Sequence, residues 1–466
     1  MSKYKYVIVG AGLSGLTIAE RIANELDEQV LIIEKRDHIG GNVYDFYQDD
    51  LLIQKYGPHI YHTNDKKVHD YLSQFTEWID YEHEVLSYVD GKLVPMPICI
   101  DTLNSLYDLD LDEKSMHEWI DEHKEDIDEI KSSEDVVLKN AGRDIYNKLF
   151  KNYTEKQWGT SASNLSPSVI SRIPFRFNHD TRYFEDTYQG MPKEGFTKMC
   201  EKMIESDKIH VGLKSDYKDY IDKIDYETLI YTGPIDYYYN YKYGELLYRC
   251  LNFVYEILDQ DSYQEVGVVN YPNDPYFTRI TEFKKLTQQK VDGKTAIMRE
   301  YPGFNGEKCY PYPTEEYLNK FKLYEALMEK EENVIFAGRL AKYKYYNMDL
   351  VVKDALNIFE SEIKGRWWKM MMLWPQYINK DLTRKEGRKI AVEDCVKEPK
   401  VSEMESVVKR LGLKYSTQEN KTFPGKWYER SGRILVETDM KKIELLREIS
   451  SKIKESRNWL IWKYHN

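Results

Sequence analysis

The sequence predicts an α/β protein of two folded parts: a large one that begins with a parallel β-α-β unit, and a small one at the C-terminus. Residues 4–34 carry a buried-strand pattern, a glycine turn, an amphipathic stretch and a second strand pattern. Charge changes sign near residues 364–366. Residues 367–466 hold 22 Lys and Arg against 14 Asp and Glu, whereas the preceding residues hold 45 against 65. We therefore predict two units, 1–366 and 367–466, with different partners.

The composition is that of a folded chain, with 41% hydrophobic and 31% charged residues. No run of 18 apolar residues predicts a transmembrane helix, and no signal sequence opens the chain, so we expect a cytoplasmic protein. The five cysteines are scattered without metal-ligand spacing, which predicts reduced, mostly buried thiols and no metal site. The 40 tyrosines suit a site for sugars and phosphates, and they equally suit a compositional bias.

The elements follow in chain order. Residues 4–9 predict a strand, Leu16 to Leu26 a helix, and Val30 to Ile33 a second strand. Residues 101–150 combine charge with helical apolar spacing, and residues 164–195 contain enough Pro and Gly to be partly loop. Further strands are predicted at 228–232, 266–270, 276–283, 295–300 and 334–337, before a last helix at 349–363.

The glycine turn predicts a dinucleotide site. Gly10-Ala11-Gly12-Leu13-Ser14-Gly15 follows a strand, opens a helix, and precedes an acid, Glu34, that ends the next strand. Gly10 permits the tight turn, Gly12 lets the backbone approach a pyrophosphate, and Gly15 lets helix and strand pack closely. The helix N-terminus offers unpaired N–H groups to the anion, and Glu34 accepts from ribose hydroxyls. The pair Gly40-Gly41 shortly after Glu34 favours FAD over NAD.

Several segments resemble the UDP-galactopyranose mutase family over nearly all of residues 3–363. They are EKRDHIGGN (34–42), KYGPHIYHTND (55–65), YTEKQWG (153–159), RIPFRF (172–177), RYFEDTYQGMP (182–192), YTGPID (231–236), TRITEF (278–283), KCYPYP (308–313) and AGRLAKYKYYNMD (337–349). The resemblance implies an FAD-binding Rossmann-like domain with an inserted helical domain at about 100–165 and an inserted β-sheet substrate domain. It implies that the enzyme interconverts UDP-galactopyranose and UDP-galactofuranose with reduced FAD, through an adduct between the sugar and flavin N5. It also makes a homodimer plausible.

The resemblance assigns the substrate residues. Arg172 and Arg279 match the two arginines that bind the diphosphate, a task that suits a planar, permanently charged guanidinium. Tyr153 and Trp158 match residues that stack on uracil and shape the sugar pocket. The remaining matches are Tyr183, Tyr312 and Tyr345, whose hydroxyls would reach phosphate or sugar, together with Asn270 and Glu300. Arg172, Arg279, His62, Tyr312 and Tyr345 are the implied catalytic residues.

The resemblance also assigns the cofactor residues. Besides Gly10, Gly12, Leu13, Ser14, Gly15 and Glu34, these are Lys35, Gly41, Asn42, His59, His62, Gly338, Arg339, Tyr345, Asn347 and Met348. His62 would help to stabilise the reduced flavin, and the helix starting at 347–349 would face the flavin pyrimidine ring. The chain departs from the family at Pro58, where a small residue is usual, and at Asn347, where an acid is common. Asparagine remains a good N-cap.

The C-terminal part has the features of an RNA-binding domain. Lys380, Arg384, Lys385, Arg388 and Lys389 lie within ten residues, and such a cluster supplies phosphate contacts. The segments MMLWPQYINKDLTRKEGRKI (371–390), VSEMESVVKRLGL (401–413), KWYERSGRILVE (426–437) and MKKIELLREISSKIK (440–454) resemble the archaeal form of the signal recognition particle 19 kDa protein. That resemblance implies a small α/β sandwich that binds signal recognition particle RNA. The implied RNA-binding residues are Tyr377, Asn379, Lys380, Arg384, Arg388, Lys389, Arg430 and Arg433.

Three functions remain open from the sequence. The first is a mutase that carries an RNA-binding module. The second is a particle-assembly protein whose flavin domain is inert, against which the retained Arg172, Arg279 and Trp158 argue. The third is an ordinary flavin oxidoreductase or amine oxidase, which the paired arginines and YTEKQWG disfavour. Arg366-Trp367-Trp368-Lys369 could belong to either unit.

Overall fold

The computed structural model describes residues 3–312, 314–364, 370–424, 431–438 and 440–465. The chain forms two compact units, Met1–Ile358 and Phe359–Asn466, which divide a few residues before the boundary that the charge pattern predicts. Arg366-Trp367-Trp368-Lys369 and Arg430 lie outside the described residues. No helix among the described residues is long and apolar enough to cross a membrane.

The first unit alternates strands and helices. Its strands are β1 (Lys3–Val9), β2 (Val30–Ile33), β3 (Asp45–Gln48), β4 (Leu51–Gln54), β5 (Tyr61–Thr63), β6 (Trp78–Asp80), β7 (Val85–Val89), β8 (Lys92–Met96), β9 (Tyr188–Pro192), β10 (Ile209–Gly212), β11 (Asp225–Tyr231), β12 (Tyr248–Leu258), β13 (Val268–Asn270), β14 (Arg279–Glu282), β15 (Thr295–Gly303), β16 (Glu307–Pro311) and β17 (Val334–Phe336).

Its helices are α1 (Leu13–Arg21), α2 (Lys66–Leu72), α3 (Ile100–Tyr107), α4 (Glu113–His123), α5 (Ser133–Ala141), α6 (Arg143–Ile145), α7 (Asn152–Trp158), α8 (Phe196–Met203), α9 (Ile235–Tyr238), α10 (Phe283–Thr287), α11 (Glu315–Met328), α12 (Gly338–Ala341) and α13 (Met348–Ile358). One-turn π-helical segments continue α1, α6 and α13.

A five-stranded parallel sheet, ordered β10-β2-β1-β11-β17, carries the N-terminal β-α-β unit. Its central strands are apolar because both faces are covered, as is usual for parallel sheets. Helix α1 packs against α13, so chain segments far apart in sequence meet beside the glycine turn. The predicted Rossmann-like arrangement is confirmed.

A second sheet holds seven strands in the order β16-β12-β15-β14-β13-β7-β8. Its pairs are antiparallel except for β13 and β7, which run parallel. Strand β12 was not predicted from the sequence, because only its first four residues are buried and polar positions interrupt the alternation. Smaller sheets pair β3 with β4, and β5 and β6 with β9.

Helices α3 to α7 occupy residues 100–158, within the span of about 100–165 that the resemblance implies for a helical insertion. Their apolar faces share one core with strands of the large sheet, including Val94, Leu103, Val137 and Ile145. The helices are therefore packed onto the sheet, which places α7 beside strand β15.

Within its described residues, the second unit contains the three-stranded antiparallel sheet β18-β20-β19 and two α-helices. Its elements are β18 (Met370–Leu373), α14 (Val401–Arg410), β19 (Tyr415–Gln418), β20 (Arg433–Glu437) and α15 (Lys442–His465). Leu373, Val407, Ile434 and Leu446 lie in one core, as expected of an α/β sandwich. Gly412 has a φ of +69°, which suits the residue following a helix C-terminus. All five cysteines are buried free thiols.

Candidate active site and candidate RNA-binding surface

A cavity of about 520 Å³ opens in the first unit at the carboxyl ends of β1 and β2. Gly10, Gly12, Leu13 and Ser14 line it at the start of α1, and Gly41 and Asn42 line it from the neighbouring loop. Ligands of open parallel sheets bind at this edge. Most of the predicted cofactor residues therefore share one cavity.

The glycines form a cradle that has no room for a side chain at Gly10 or Gly41. Gly10 has a φ of +104°, and a Cβ on Gly41 would lie 2.9 Å from the Cα of Gly12. Helix α1 begins without a side-chain cap or an acidic first turn, so its N–H groups are available to an anion. The backbone thus fits a pyrophosphate, which needs close approach and positive partial charge.

Glu34 joins the two loops of the cradle. It is 7% exposed, and its carboxylate accepts hydrogen bonds from the N–H of Ala11 at 2.7 Å and of Arg36 at 2.8 Å. Its oxygens retain lone pairs for ribose hydroxyls. Lys35 and Arg36 line the cavity next to Glu34. The Arg36 guanidinium donates to Asn42 and lies over the ring of Tyr56.

The cavity also contacts residues that the sequence analysis left without a role. Thr232, Gly233 and Pro234 line it, within the segment YTGPID, and so do Asp216 and Tyr237. The Tyr237 hydroxyl donates to Asp216 at 2.8 Å, and the Lys218 ammonium lies 3.8 Å from the Tyr237 ring centroid. The segment YTGPID, through its resemblance to the mutase family, is the signal in the sequence for this wall of the cavity.

His59 and Arg339 close the far side of the cavity together with Gly338 and Met348. Burial, together with the positive charges of Arg339 and Arg279, lowers the pKa of His59 to about 4, so the imidazole is neutral at pH 7. The Nδ1 atom of His59 lies 3.0 Å from the carbonyl oxygen of Gly57. Because a carbonyl oxygen can only accept a hydrogen bond, Nδ1 is the donor, and Nε2 of the neutral ring is left as an acceptor. Arg339 donates to the carbonyls of Cys309 and Tyr346.

His62 lies apart from the cavity lining. Its Nδ1 is 2.8 Å from Asp186 Oδ2, and its ring stacks on Phe184 with 3.7 Å between centroids. Asn347 precedes α13, and its carbonyl accepts from the Val351 N–H. Asp349 accepts from the Thr63 hydroxyl at 3.0 Å, which ties the start of α13 to β5.

The first predicted diphosphate arginine, Arg172, makes a defined pair with Tyr345. Its Nη1 donates to the Tyr345 hydroxyl at 2.8 Å, and its guanidinium lies 4.9 Å from the centroid of the same ring. Both side chains are exposed, so they can be reached by a charged ligand. Tyr345 also stacks on Tyr310, with 5.2 Å between centroids.

The second predicted diphosphate arginine, Arg279, lies beside a buried carboxylate. Its Nε is 3.0 Å from Oε1 of Glu300, and Asn270 faces Arg279 across the β13–β14 pair. Burial lowers the pKa of Arg279, but the Glu300 carboxylate and the surrounding tyrosines more than offset this, so the net shift is upward. Those tyrosines are Tyr153, Tyr310 and Tyr183. Arg279 therefore remains a cation.

Helix α7 supplies Tyr153 and Trp158 to this cluster. Burial raises the pKa of Tyr153 to about 12, which keeps its hydroxyl protonated at pH 7. Trp158 is buried, with its ring centroid 6.4 Å from that of Tyr310. Arg249 ends the helix by donating to the carbonyls of Gln157 and Lys156 at 2.8 Å each.

The structure places Tyr310, and not Tyr312, beside the arginines. Tyr310 contacts Tyr345 and lies under the Arg339 guanidinium, 5.4 Å from the ring centroid. Tyr312 is buried against Phe304 and Tyr317, and its N–H donates to the Tyr343 hydroxyl. The segment KCYPYP offers two tyrosines, and the sequence alone did not reveal which one the strand directs to the site. Tyr183 lies edge-on to His83, 5.6 Å between centroids.

Comparison with known proteins agrees with this geometry. The family UDP-galactopyranose mutase matches residues 148–345, and an NAD(P)-binding Rossmann-like domain matches residues 8–75. A probable UDP-galactopyranose mutase of Klebsiella pneumoniae is 37% identical over 363 residues, 76% of this chain and 94% of that protein. The chain belongs to the UDP-galactopyranose mutase family.

Another member of this mutase group differs in its nucleotide sugar. A dTDP-fucopyranose mutase of Escherichia coli is 31% identical over 78% of this chain and 99% of that protein. A crystal structure of a reduced UDP-galactopyranose mutase superposes with a TM-score of 0.62 at 17% identity, covering 78% of this chain and 95% of that one, which supports the same fold.

In the second unit, the predicted RNA-binding residues fall into two groups. Lys380, Arg384, Lys385 and Lys389 are exposed. The Arg388 guanidinium donates instead to the carbonyls of Leu382 at 2.8 Å and of Ile390, so it holds the loop together. The Asn379 side chain accepts from the Asp381 N–H at 3.0 Å. The loop therefore has internal supports beneath an exposed basic surface.

Arg433 and Tyr377 also have partners inside the unit. Arg433 donates to Gln418 at 2.6 Å and lies 5.5 Å from the ring centroid of Trp374. Tyr377 is half-buried, edge-on to Phe423. These contacts give each of the two residues a role in the fold of the unit.

The second unit is similar to a family of small proteins. The family SRP19 matches residues 372–456. The signal recognition particle 19 kDa protein of Methanobrevibacter smithii is 56% identical over 86 residues, 97% of that protein, and that of Methanosphaera stadtmanae is 49% identical over 88 residues, 96% of that protein. The second unit belongs to this family, so the chain joins units of two different families.

Proposed function

We propose that the first unit interconverts UDP-galactopyranose and UDP-galactofuranose with bound FAD in its reduced state. The observation that carries the proposal is the pairing of a dinucleotide cradle with Arg172 and Arg279 in one unit. A cradle alone suits many oxidoreductases, whereas two arginines surrounded by tyrosines suit a second, doubly charged phosphate group.

The residues around the cavity fit the dinucleotide. Gly12, Gly41 and the start of α1 would hold the pyrophosphate of FAD, and Glu34 would accept from its ribose. Neutral His59, Arg339 and the start of α13 would surround the other end. Reduced FAD supplies a nucleophilic nitrogen to the anomeric carbon of the sugar.

The chain itself performs binding and orientation. Arg172 and Arg279 hold the diphosphate as it leaves the sugar and returns to it, and they stabilise its charge throughout. Tyr345 and Tyr310 lie beside these arginines, and their hydroxyls can donate to phosphate oxygens or to the sugar. Tyr153 and Trp158 on α7 offer rings to the uracil. Holding both fragments in one site makes the return of UDP to the sugar effectively an intramolecular step.

The test is turnover of UDP-galactofuranose by pure protein under dithionite without oxygen, with the product separated by chromatography. We expect UDP-galactopyranose from the wild type and a large loss in Arg279→Met. Arg299→Met is the matched control, because Arg299 lies on the next strand and pairs with Glu256. Conversion of dTDP-fucofuranose instead would assign the chain to the second mutase activity. No conversion of either sugar would support an inert flavin domain.

We propose further that the second unit binds signal recognition particle RNA through its exposed basic loop. The loop presents Lys380, Arg384, Lys385 and Lys389, which supply the cations that a phosphate backbone requires. A gel shift with that RNA at moderate salt tests this, and no shift would reject it. We place both activities in the cytoplasm, where the five free thiols would stay reduced.

A further inference from the structure

Two lysines of the second unit converge on one tyrosine ring. The ammonium of Lys442 lies 4.7 Å from the ring centroid of Tyr377, and that of Lys389 lies 5.7 Å from it. The N–H of Lys389 donates to the carbonyl of Tyr377 at 2.8 Å, which fixes one lysine beside the ring. Lys442 is the first residue of α15, so the second lysine comes from a distant part of the sequence.

The charge of this cluster is not balanced within the described part of the chain. No carboxylate there forms an ion pair with either ammonium. Burial lowers the pKa of Lys442, and the positive charge of Lys389 lowers it further, so each cation feels the other. The ring of Tyr377 attracts both cations but cannot neutralise them. An anion between the two ammonium groups would relieve the repulsion.

We propose that Lys389 and Lys442 clamp one phosphate of the RNA backbone, with Tyr377 as the platform that holds both ammonium groups. This inference rests on the proposed RNA binding and adds Lys442, which the sequence did not indicate. It also gives Tyr377 a positioning role, because the ring acts through the two lysines. The phosphate belongs to a polyanion because Lys380, Arg384 and Lys385 are exposed on the loop that Lys389 ends.

The experiment measures binding of the full chain to fluorescently labelled signal recognition particle RNA by anisotropy, between 50 and 200 mM salt. We expect Lys442→Gln to weaken binding about five- to tenfold at 0.1 M salt and to reduce the slope of log K against log salt by about 1. Lys442→Arg and Tyr377→Phe should retain most of the affinity, since they keep the charge and the ring. Lys409→Gln is the matched control, an exposed lysine of α14 outside the cluster.

A double-mutant cycle tests whether the two lysines share one phosphate. Lys389→Gln should match Lys442→Gln, and the double variant should lose less than the product of the two single losses. Fully additive losses would overturn the clamp, as would an unchanged salt slope in Lys442→Gln. Competition by inorganic phosphate at millimolar concentration that abolishes RNA binding would identify a free-anion site instead. If the wild type binds no RNA, the proposed function fails along with the clamp, whereas normal wild-type binding with an unaffected Lys442→Gln rejects the clamp alone.

Discussion

The Nε atom of Arg279 lies 3.0 Å from Oε1 of Glu300, on the neighbouring strand of the large sheet. Glu300 is 1% exposed, and within the described residues its carboxylate oxygens accept no hydrogen bond of good geometry. Burial raises the pKa of Glu300, and Arg279 acts in the opposite direction. Each of the two groups is thus the main compensation for the buried charge of the other.

Arg279→Met tests this dependence. Removing one partner of a buried pair leaves the other uncompensated, so we expect the variant to lose about 3 kcal/mol of unfolding free energy. The double variant Arg279→Met, Glu300→Gln should recover more than half of that loss, while UDP binding stays abolished in both. Urea unfolding and UDP titration measure the two effects. Equal stability of single and double variants would contradict the pairing.

Substitutions at Arg172 and Tyr345 can separate the effect of the positive charge of Arg172 from that of its planar guanidinium. Arg172→Lys keeps the charge but loses the planar fork and its 2.8 Å hydrogen bond to Tyr345. We expect kcat/KM for UDP-galactofuranose to fall between about tenfold and a hundredfold. Tyr345→Phe keeps the ring beneath the guanidinium, so its loss should be smaller. A larger effect from Tyr345→Phe would show that the hydroxyl acts directly on the substrate.

The cradle could be predicted from the sequence because its chemistry lies in consecutive residues, from Gly10 to Gly15, followed by Glu34. The arginine cluster could not be derived that way, because Arg172, Arg279 and Tyr345 lie on three distant segments and only a family resemblance joins them. The choice between Tyr310 and Tyr312 depends on the direction of each side chain at the end of β16, which no periodicity encodes. Likewise the sequence predicts that Arg388 contacts RNA, whereas in the structure its guanidinium donates to a backbone carbonyl.

His83 predicts a pH dependence of stability. It is 4% exposed, and burial lowers its pKa to about 3, with Arg279 and His62 contributing. An unfolded histidine titrates near 6.5, so between pH 6.5 and 3 the unfolded chain binds one proton that the folded chain excludes. Stability therefore falls with falling pH, by about 1.4 kcal/mol per pH unit from this group.

The measurement is urea unfolding from pH 7 to pH 5 in the wild type and in His83→Asn. The variant will be less stable at every pH, because the ring packs against Tyr183 and Phe184. The slope is the informative quantity: the variant's stability should decline less steeply than that of the wild type. Identical slopes would mean that His83 accepts its proton while folded.

Lys156 links two chain segments that carry predicted substrate-binding residues. Its ammonium donates to the carbonyls of Tyr271, Asp274 and Phe277 at 2.7, 2.5 and 2.8 Å. It thereby anchors α7, which carries Tyr153 and Trp158, to the loop that precedes Arg279. Lys156→Met should raise KM about tenfold with a smaller change in kcat, because binding geometry is lost before the chemistry. Lys151→Met, an exposed lysine just before α7, is the control.

The same lysine predicts a rise of KM in alkali. Burial lowers the pKa of Lys156 to about 8, and above that pH the neutral amine has two N–H groups for three carbonyls. The wild-type KM should therefore increase between pH 7.5 and 9, whereas that of Lys156→Met should not change over this range. A parallel rise in both proteins would assign the titration to another group.

Arg384 and Arg388 stand four residues apart in one basic loop, yet their environments predict opposite outcomes. Arg384 is exposed, so Arg384→Gln should weaken RNA binding several-fold without changing the thermal unfolding of the unit. Arg388 donates to the carbonyls of Leu382 and Ile390, so Arg388→Gln should lower the unfolding temperature. Any loss of RNA affinity in Arg388→Gln should then result from the lower stability of the loop. If Arg388→Gln weakens binding at unchanged stability, the guanidinium must leave its carbonyls to contact phosphate, and the loop must rearrange on the RNA.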